Sequence, residues 1–244
     1  MQPARRWMQQ PEENCAAVRR CRRLDHAQPW MAGAPQNHLM WLDLFLAVVA
    51  TALALALRPW RATAAGGPPW PWLACCAVLP LCWGADLLAA SAIIQPLSGA
   101  SLLVLLAGWP LAVLGLLPVA GVMVAVGGLP WDEALHRLVW LGIVPGTLAM
   151  LLGAGVRRWL PGHLFIYILG RGFFTTWVAV ALAGALALGR AANPVGTDDG
   201  DLLLARFLTA SGEAFLTGML TAIFVAFRPD WLATYSDRLY LPKD

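Results

Sequence analysis

Leu202 to Phe227 read LLLARFLTASGEAFLTGMLTAIFVAF, an apolar run with one carboxyl, Glu213, near its middle. At 1.5 Å per residue the run makes a helix about 39 Å long, more than the hydrocarbon thickness of about 30 Å. A carboxyl at that depth is costly in lipid and is kept for a partner, a ligand or a water-filled cavity. An amphipathic segment follows, Arg228-Pro229-Asp230-Trp231, with Arg238 and Lys243 beyond it. These features predict a polytopic membrane protein with a polar site inside the bilayer.

Composition agrees. Hydrophobic residues are 59% of the 244 and charged residues 13%, about half the charge that a soluble domain uses to cover its surface. Mean hydropathy is +0.63. The expected class is an all-α integral membrane bundle, with too little polar sequence for a separate soluble domain. The net charge of +3 comes from scattered basic residues. No recognition motif accompanies them, so they give no case for nucleic acid and none is expected as a partner. The thirteen Trp suit the aromatic belts at the two membrane surfaces. Cys75, Cys76 and Cys82 fall in an apolar run and read as small core residues rather than a disulfide frame or a metal cluster.

Seven apolar segments are helix candidates: 39–57, 72–94, 97–108, 110–126, 134–154, 164–188 and 202–227. Taken as one helix, 97–126 would run about 45 Å, well over the hydrocarbon thickness. It contains Gly108-Trp109-Pro110, and proline removes a backbone donor and disfavours helix in the residue before it. Two short helices meeting at that break are expected. The first is too short to span and must be covered by its neighbours.

Loop charges give an orientation. With entry from outside, Arg58, Arg61, Arg157, Arg158, Arg228, Arg238 and Lys243 share the cytoplasmic side, opposite Asp132, Glu133, Asp198, Asp199 and Asp201, with Arg190 the only basic loop residue among them. That is a positive-inside pattern with a cytoplasmic C-terminus in the inner membrane. Residues 1–38 read as a basic polar tail, 39–228 as the helical domain and 229–244 as a cytoplasmic tail. The tail's six arginines, Arg5, Arg6, Arg19, Arg20, Arg22 and Arg23, oppose the rule. Either translation starts at Met31 or Met40, or the chain has six spans with an inside N-terminus. A signal cleaved at Ala62-Thr63-Ala64 is disfavoured by Arg58 and Arg61 just before it.

Asp43, Arg137 and Arg206 lie near enough to helix ends to snorkel to the headgroups. Asp86 and Glu213 are too deep and too short for that. They read as a structural pair, a helix-to-helix hydrogen bond or part of a solute site. Arg171, flanked by Gly170 and Gly172, is a candidate ion-pair partner for Glu213. Gly142-x-x-x-Gly146 and the alternating alanines Ala50 to Ala56 are close-packing faces, suited to holding the bundle or to docking a partner. No zinc helix, phosphate loop or nucleophile elbow occurs in the chain. Ser98-Gly99 and Ser211-Gly212 resemble the serine of intramembrane proteases only faintly, and the available histidines, His136 and His163, sit at opposite membrane faces, so an enzyme is not expected. Without an ATP-binding loop, active transport needs a separate ATPase or an ion gradient.

The stretch Gly212 to Ala222, followed by Phe227-Arg228-Pro229-Asp230-Trp231, resembles the last span and tail of CbiM-type permeases. These are the substrate-capturing membrane subunits of energy-coupling-factor transporters for cobalt and nickel. Pro96-Leu97-Ser98-Gly99-Ala100-Ser101, running into Gly108-Trp109-Pro110, is similar to their short helix, break and second helix. Arg228-Pro229-Asp230-Trp231-Leu232-Ala233-Thr234-Tyr235-Ser236-Asp237-Arg238 resembles the ending of an uncharacterised bacterial branch of that group. The likeness covers roughly 95–240. It implies a solute-binding permease with a coupling transmembrane subunit and ATP-binding subunits as partners. Glu213 aligns with the family's acidic residue in the last span. Two departures concern the cargo. Pro96 stands where the metal-transporting members have histidine, and Asn37-His38 is not their Met-His opening. Cobalt and nickel favour imidazole nitrogen, so no metal ligands are assigned, no cofactor is expected, and a transition metal enters only as conceivable cargo.

The expected solute-binding residues are Glu213, Asp86, Ser98 and Ser101, with Arg171, Gly99 and Gly218 in ion-pair or packing roles. The rival class is a non-transport membrane protein, an envelope assembly factor or a lipid-handling enzyme.

Overall fold

Among the described residues, seven helices form where the seven apolar runs fall. The computed structural model describes residues 36–60, 70–86, 95–188 and 199–235. Its helices are α1 (Gln36–Ala56), α2 (Trp70–Trp83), α3 (Ala100–Ala107), α4 (Trp109–Ala125), α5 (Trp131–Trp159), α6 (Leu164–Leu188) and α7 (Asp199–Phe227). A 3-10 turn, Pro229–Trp231, follows. No strand occurs among the described residues. Most of the basic tail and residues 61–69, 189–198 and 236–244 lie outside them, as does 87–94 of the second segment. The first helix begins at Gln36, a few residues before the apolar run.

Three helices, α5, α6 and α7, are long and apolar enough to cross a membrane. The described parts of α1, α2 and α4 are shorter apolar helices. This differs from a reading of six or seven full spans. At 17 residues, α4 reaches only about 26 Å, because the break at Gly108 and the turn at Gly127-Gly128 cut one long apolar run short. The bundle carries large apolar side chains outside, among them Phe45, Leu53, Phe207, Phe215 and Phe227. Asp43, Arg137, Thr176, Glu213, Thr217 and Thr221 are buried inside. Such a surface suits a lipid solvent, in which backbone and polar side chains must find partners within the protein.

Helix α3 is the short covered element that the break predicts. It has eight residues, and Ala100 to Leu106 are all buried. Gly108, at φ 79° and ψ 163°, turns the chain from α3 into α4, a conformation that a Cβ would strain. Pro110 follows in the first turn of α4, where its missing N–H has no helical acceptor to lose.

Small residues let the long helices approach closely. Gly172 of α6 packs on Thr221 of α7, Phe173 on Gly218 and Gly184 on Arg206, and Trp177 Nε1 donates to Ser211 Oγ at 3.0 Å. The pairs run in opposite order along the two helices, so α6 and α7 are antiparallel. A Cβ on Gly218 would sit 3.2 Å from Phe173 Cβ, which makes Gly218 a packing residue. The Gly142-x-x-x-Gly146 face is used inside the bundle: Gly142 meets Leu116 and Trp83, and Gly146 meets Ala100 and Val104.

Helix ends sort by charge. Asp43 near the start of α1 contacts His136 and Trp140 near the start of α5, so these helices run parallel. The hairpin at 160–163 makes α6 antiparallel to α5, and α7 is therefore parallel to it. Arg58, Arg157, Arg158 and Arg228 lie at the shared C-terminal end of α1, α5 and α7, with Asp132 and Glu133 at the other.

Candidate functional site

The first turn of any helix leaves N–H groups without intrahelical acceptors. In α3 these groups are buried, and Glu213 satisfies two N–H groups at its entry. Ser98 N donates to Glu213 Oε2 at 2.8 Å, and Gly99 N donates to Oε1 at 2.9 Å. Ala100 N donates to Ser98 Oγ at 3.1 Å. Gly99 adopts the left-handed conformation, φ 65°, which aims successive amides at one carboxylate. Glu213 is 2% exposed and stands halfway along α7, about 21 Å from either end. A negative group at a helix N-terminus is further favoured by the helix dipole.

The other end of α3 is held by the segment just after α7. Ala233 N donates to Leu106 O at 3.1 Å, and Thr234 Oγ1 donates to Leu105 O at 3.2 Å. Tyr167 Oη of α6 shares a hydrogen bond of 2.9 Å with Thr234 Oγ1. Leu232 is buried against Leu102, Leu105, Leu106 and Tyr167. Thus α7 and its extension supply partners to both ends of the half-helix.

A second polar layer sits toward the start of α5. Arg137 donates through Nη1 and Nη2 to Asp86 at 2.9 and 2.7 Å, through Nε to Glu133 at 2.8 Å, and through Nη1 to Trp83 O. Trp140 Nε1 donates to Asp43 at 3.0 Å, and His136 Nδ1 hydrogen-bonds the other oxygen at 2.9 Å. Trp83 joins the two sites. Its Nε1 donates to Ser98 O at 3.1 Å, so a continuous path of polar contacts runs from Glu213 through Ser98 and Trp83 to Arg137 and Asp86. No family model, curated protein or solved structure matches this chain.

The structure therefore brings together Glu213, Ser98 and Gly99. Ser101 lies one turn on, 1% exposed, with its Oγ unpartnered. Asp86 belongs to the Arg137 layer. Arg171 does not pair with Glu213: the ion pairs among the described residues are His136–Asp43, Arg137–Asp86 and Arg137–Glu133. Backbone amides already occupy both oxygens of Glu213, while Arg171 lies against Gly153 and the Tyr167 ring. Snorkelling is also corrected. Asp43 and Arg137 are buried, because they meet partners inside the bundle. Arg206 turns inward to donate to Gly184 O at 2.7 Å.

Trp83 and the Arg137 layer carry no signal in a single-helix reading, because their partners are distant in sequence. The capping role of Glu213 had one available clue, an eight-residue apolar helix starting after Gly99 with buried amides to satisfy. Among the described residues no group of three or more His, Cys, Asp or Glu side chains is placed to hold a metal ion.

Proposed function

We propose that this chain is the solute-capturing membrane subunit of an energy-coupling-factor type transporter, taking a small solute from the extracytoplasmic side. One observation carries the reading: the interrupted helix α3–Gly108–α4, whose inner N-terminus lies at mid-bundle against a buried acid. Transporters build solute sites from such broken helices, where backbone groups are free of the regular ladder. The likeness of Gly212–Ala222 and Arg228–Arg238 to CbiM-type permeases points the same way. The basic end at Arg58, Arg157, Arg158 and Arg228 is assigned to the cytoplasm by the positive-inside rule, with the protein in the inner membrane.

In this reading Glu213 is a positioning residue. It fixes the turn at Ser98-Gly99, and Ser98, Ser101 and Asp86 are the candidates for solute contact. A cobalt or nickel cargo is disfavoured by Pro96 at the family's histidine position. The partners are a coupling transmembrane subunit and ATP-binding subunits.

The sealed carboxylate of Glu213 favours a second reading, a non-transport membrane protein in which the acid only holds the scaffold. One experiment separates the two. The tagged full chain is purified in mild detergent from its native membranes and its companions are identified by mass spectrometry. Recovery of an ATP-binding subunit with a second membrane subunit is the expected result. Recovery of envelope-assembly proteins, or of the chain alone, overturns the transport reading.

A further inference from the structure

The α5–α6 hairpin lines a half-open cavity of about 330 Å³ that neither polar layer uses. Val156, Leu160 and Ile166 give it apolar walls, and Arg157, Tyr167 and Arg171 give it polar ones. Arg171 enters from a π-helical segment, Tyr167–Phe174, a local widening often found at functional positions. Its Nη1 is shielded from solvent and has no hydrogen-bond partner. No carboxylate among the described residues lies within ion-pair distance of Arg157, Arg158 or Arg171. A shielded guanidinium N–H without an acceptor is costly, and an anion in the cavity would satisfy it.

We propose that this cavity binds a phosphate group, carried either by an anionic lipid headgroup or by a free phosphate. Two guanidinium groups present donors in planar forks that match phosphate oxygens. Phe165, next to the lining residue Ile166, is exposed, and the hairpin lies at the basic end of the bundle, with Arg157 and Arg158. Tyr167 also borders α3 at Leu102, Leu105 and Leu106, but the cavity lies away from Glu213 and the proposal does not depend on the transport reading.

The test uses the full chain, delipidated in a neutral detergent. Dioleoylphosphatidylglycerol, dioleoylphosphatidylcholine and inorganic phosphate are titrated separately, with binding followed by native mass spectrometry and thermal shift. Phosphatidylglycerol should bind about tenfold more tightly than phosphatidylcholine, and Arg171→Gln or Arg157→Gln should each weaken it about tenfold. Arg58→Gln, an exposed arginine at the same end, should change it by less than about twofold, because Arg58 does not line the cavity and acts only as a screened distant charge. Inorganic phosphate that binds and competes with phosphatidylglycerol, with the same arginine dependence, supports the site and assigns a soluble source. Equal weakening by Arg58→Gln, or no selectivity and no phosphate binding, overturns the proposal. Arg157 is exposed, so Arg157→Gln keeps the test decisive should Arg171→Gln fail to fold.

Discussion

Replacing Glu213 by alanine should unlatch α3. The substitution removes the acceptor of two amides, Ser98 N and Gly99 N, held at 2.8 and 2.9 Å. Each buried donor left without a partner costs about 1–3 kcal/mol. The side chain is 2% exposed, so water does not readily replace it. The carboxylate's own burial cost disappears with it, which trims the sum. A net loss of about 3–4 kcal/mol is expected, roughly two to three orders of magnitude in the folding equilibrium. Glu213→Gln keeps one acceptor but turns an amide NH2 toward the second donor, so it should fall between wild type and alanine. Unfolding in mixed micelles on titration with SDS gives the stability, with tryptophan fluorescence as the signal. Hydrogen exchange at Ser98 and Gly99 gives the local effect. Wild-type stability within about 0.5 kcal/mol, together with unchanged protection of those two amides, would refute the capping role.

Three further outcomes test the same framework. Gly99→Ala should lower stability by about 1–2 kcal/mol for the left-handed backbone, and Gly99→Asn by less, as measured by thermal unfolding in detergent. Arg137→Met should cost about 2–4 kcal/mol, because it strands Asp86 and Glu133 in a partly buried layer. Adding Asp86→Asn should recover part of that loss in a double-mutant cycle. Leu232→Ala should cost about 2–3 kcal/mol and speed proteolysis of the C-terminal segment, because Leu232 pins the turn that carries Ala233 and Thr234 to α3.

Helix number and the α3–α4 break were legible because they depend on local quantities. Apolar run length sets the helices, and Gly108-Trp109-Pro110 sets the interruption. Depth along α7 likewise marked Glu213 as an acid needing a partner. The partner itself was not legible. Ser98 and Gly99 are separated from it by more than a hundred residues, and a backbone amide leaves no mark in residue identity. Arg171 is the visible cation, so it was the expected mate, yet the amides took both oxygens. Asp43 and Arg137 were read one helix at a time, which gives distance to a helix end but not the neighbour waiting there. The segment 229–244 read as an amphipathic cytoplasmic tail. Its fold-back onto α3 depends on carbonyls left open at the end of a short helix, a need visible only once that helix is placed.

Synthesis order gives the latch at Glu213 a consequence for biogenesis. Gly99 leaves the ribosome 114 residues ahead of the acid that caps it, an interval of about 6–23 s at ordinary elongation rates. Throughout that time the short helix has neither its leading nor its trailing contact, since Ala233 emerges later still. Nascent chains interrupted before α7 therefore expose an unfinished rod to insertase and protease alike, which makes the arrival of α7 and its extension the step that completes α3.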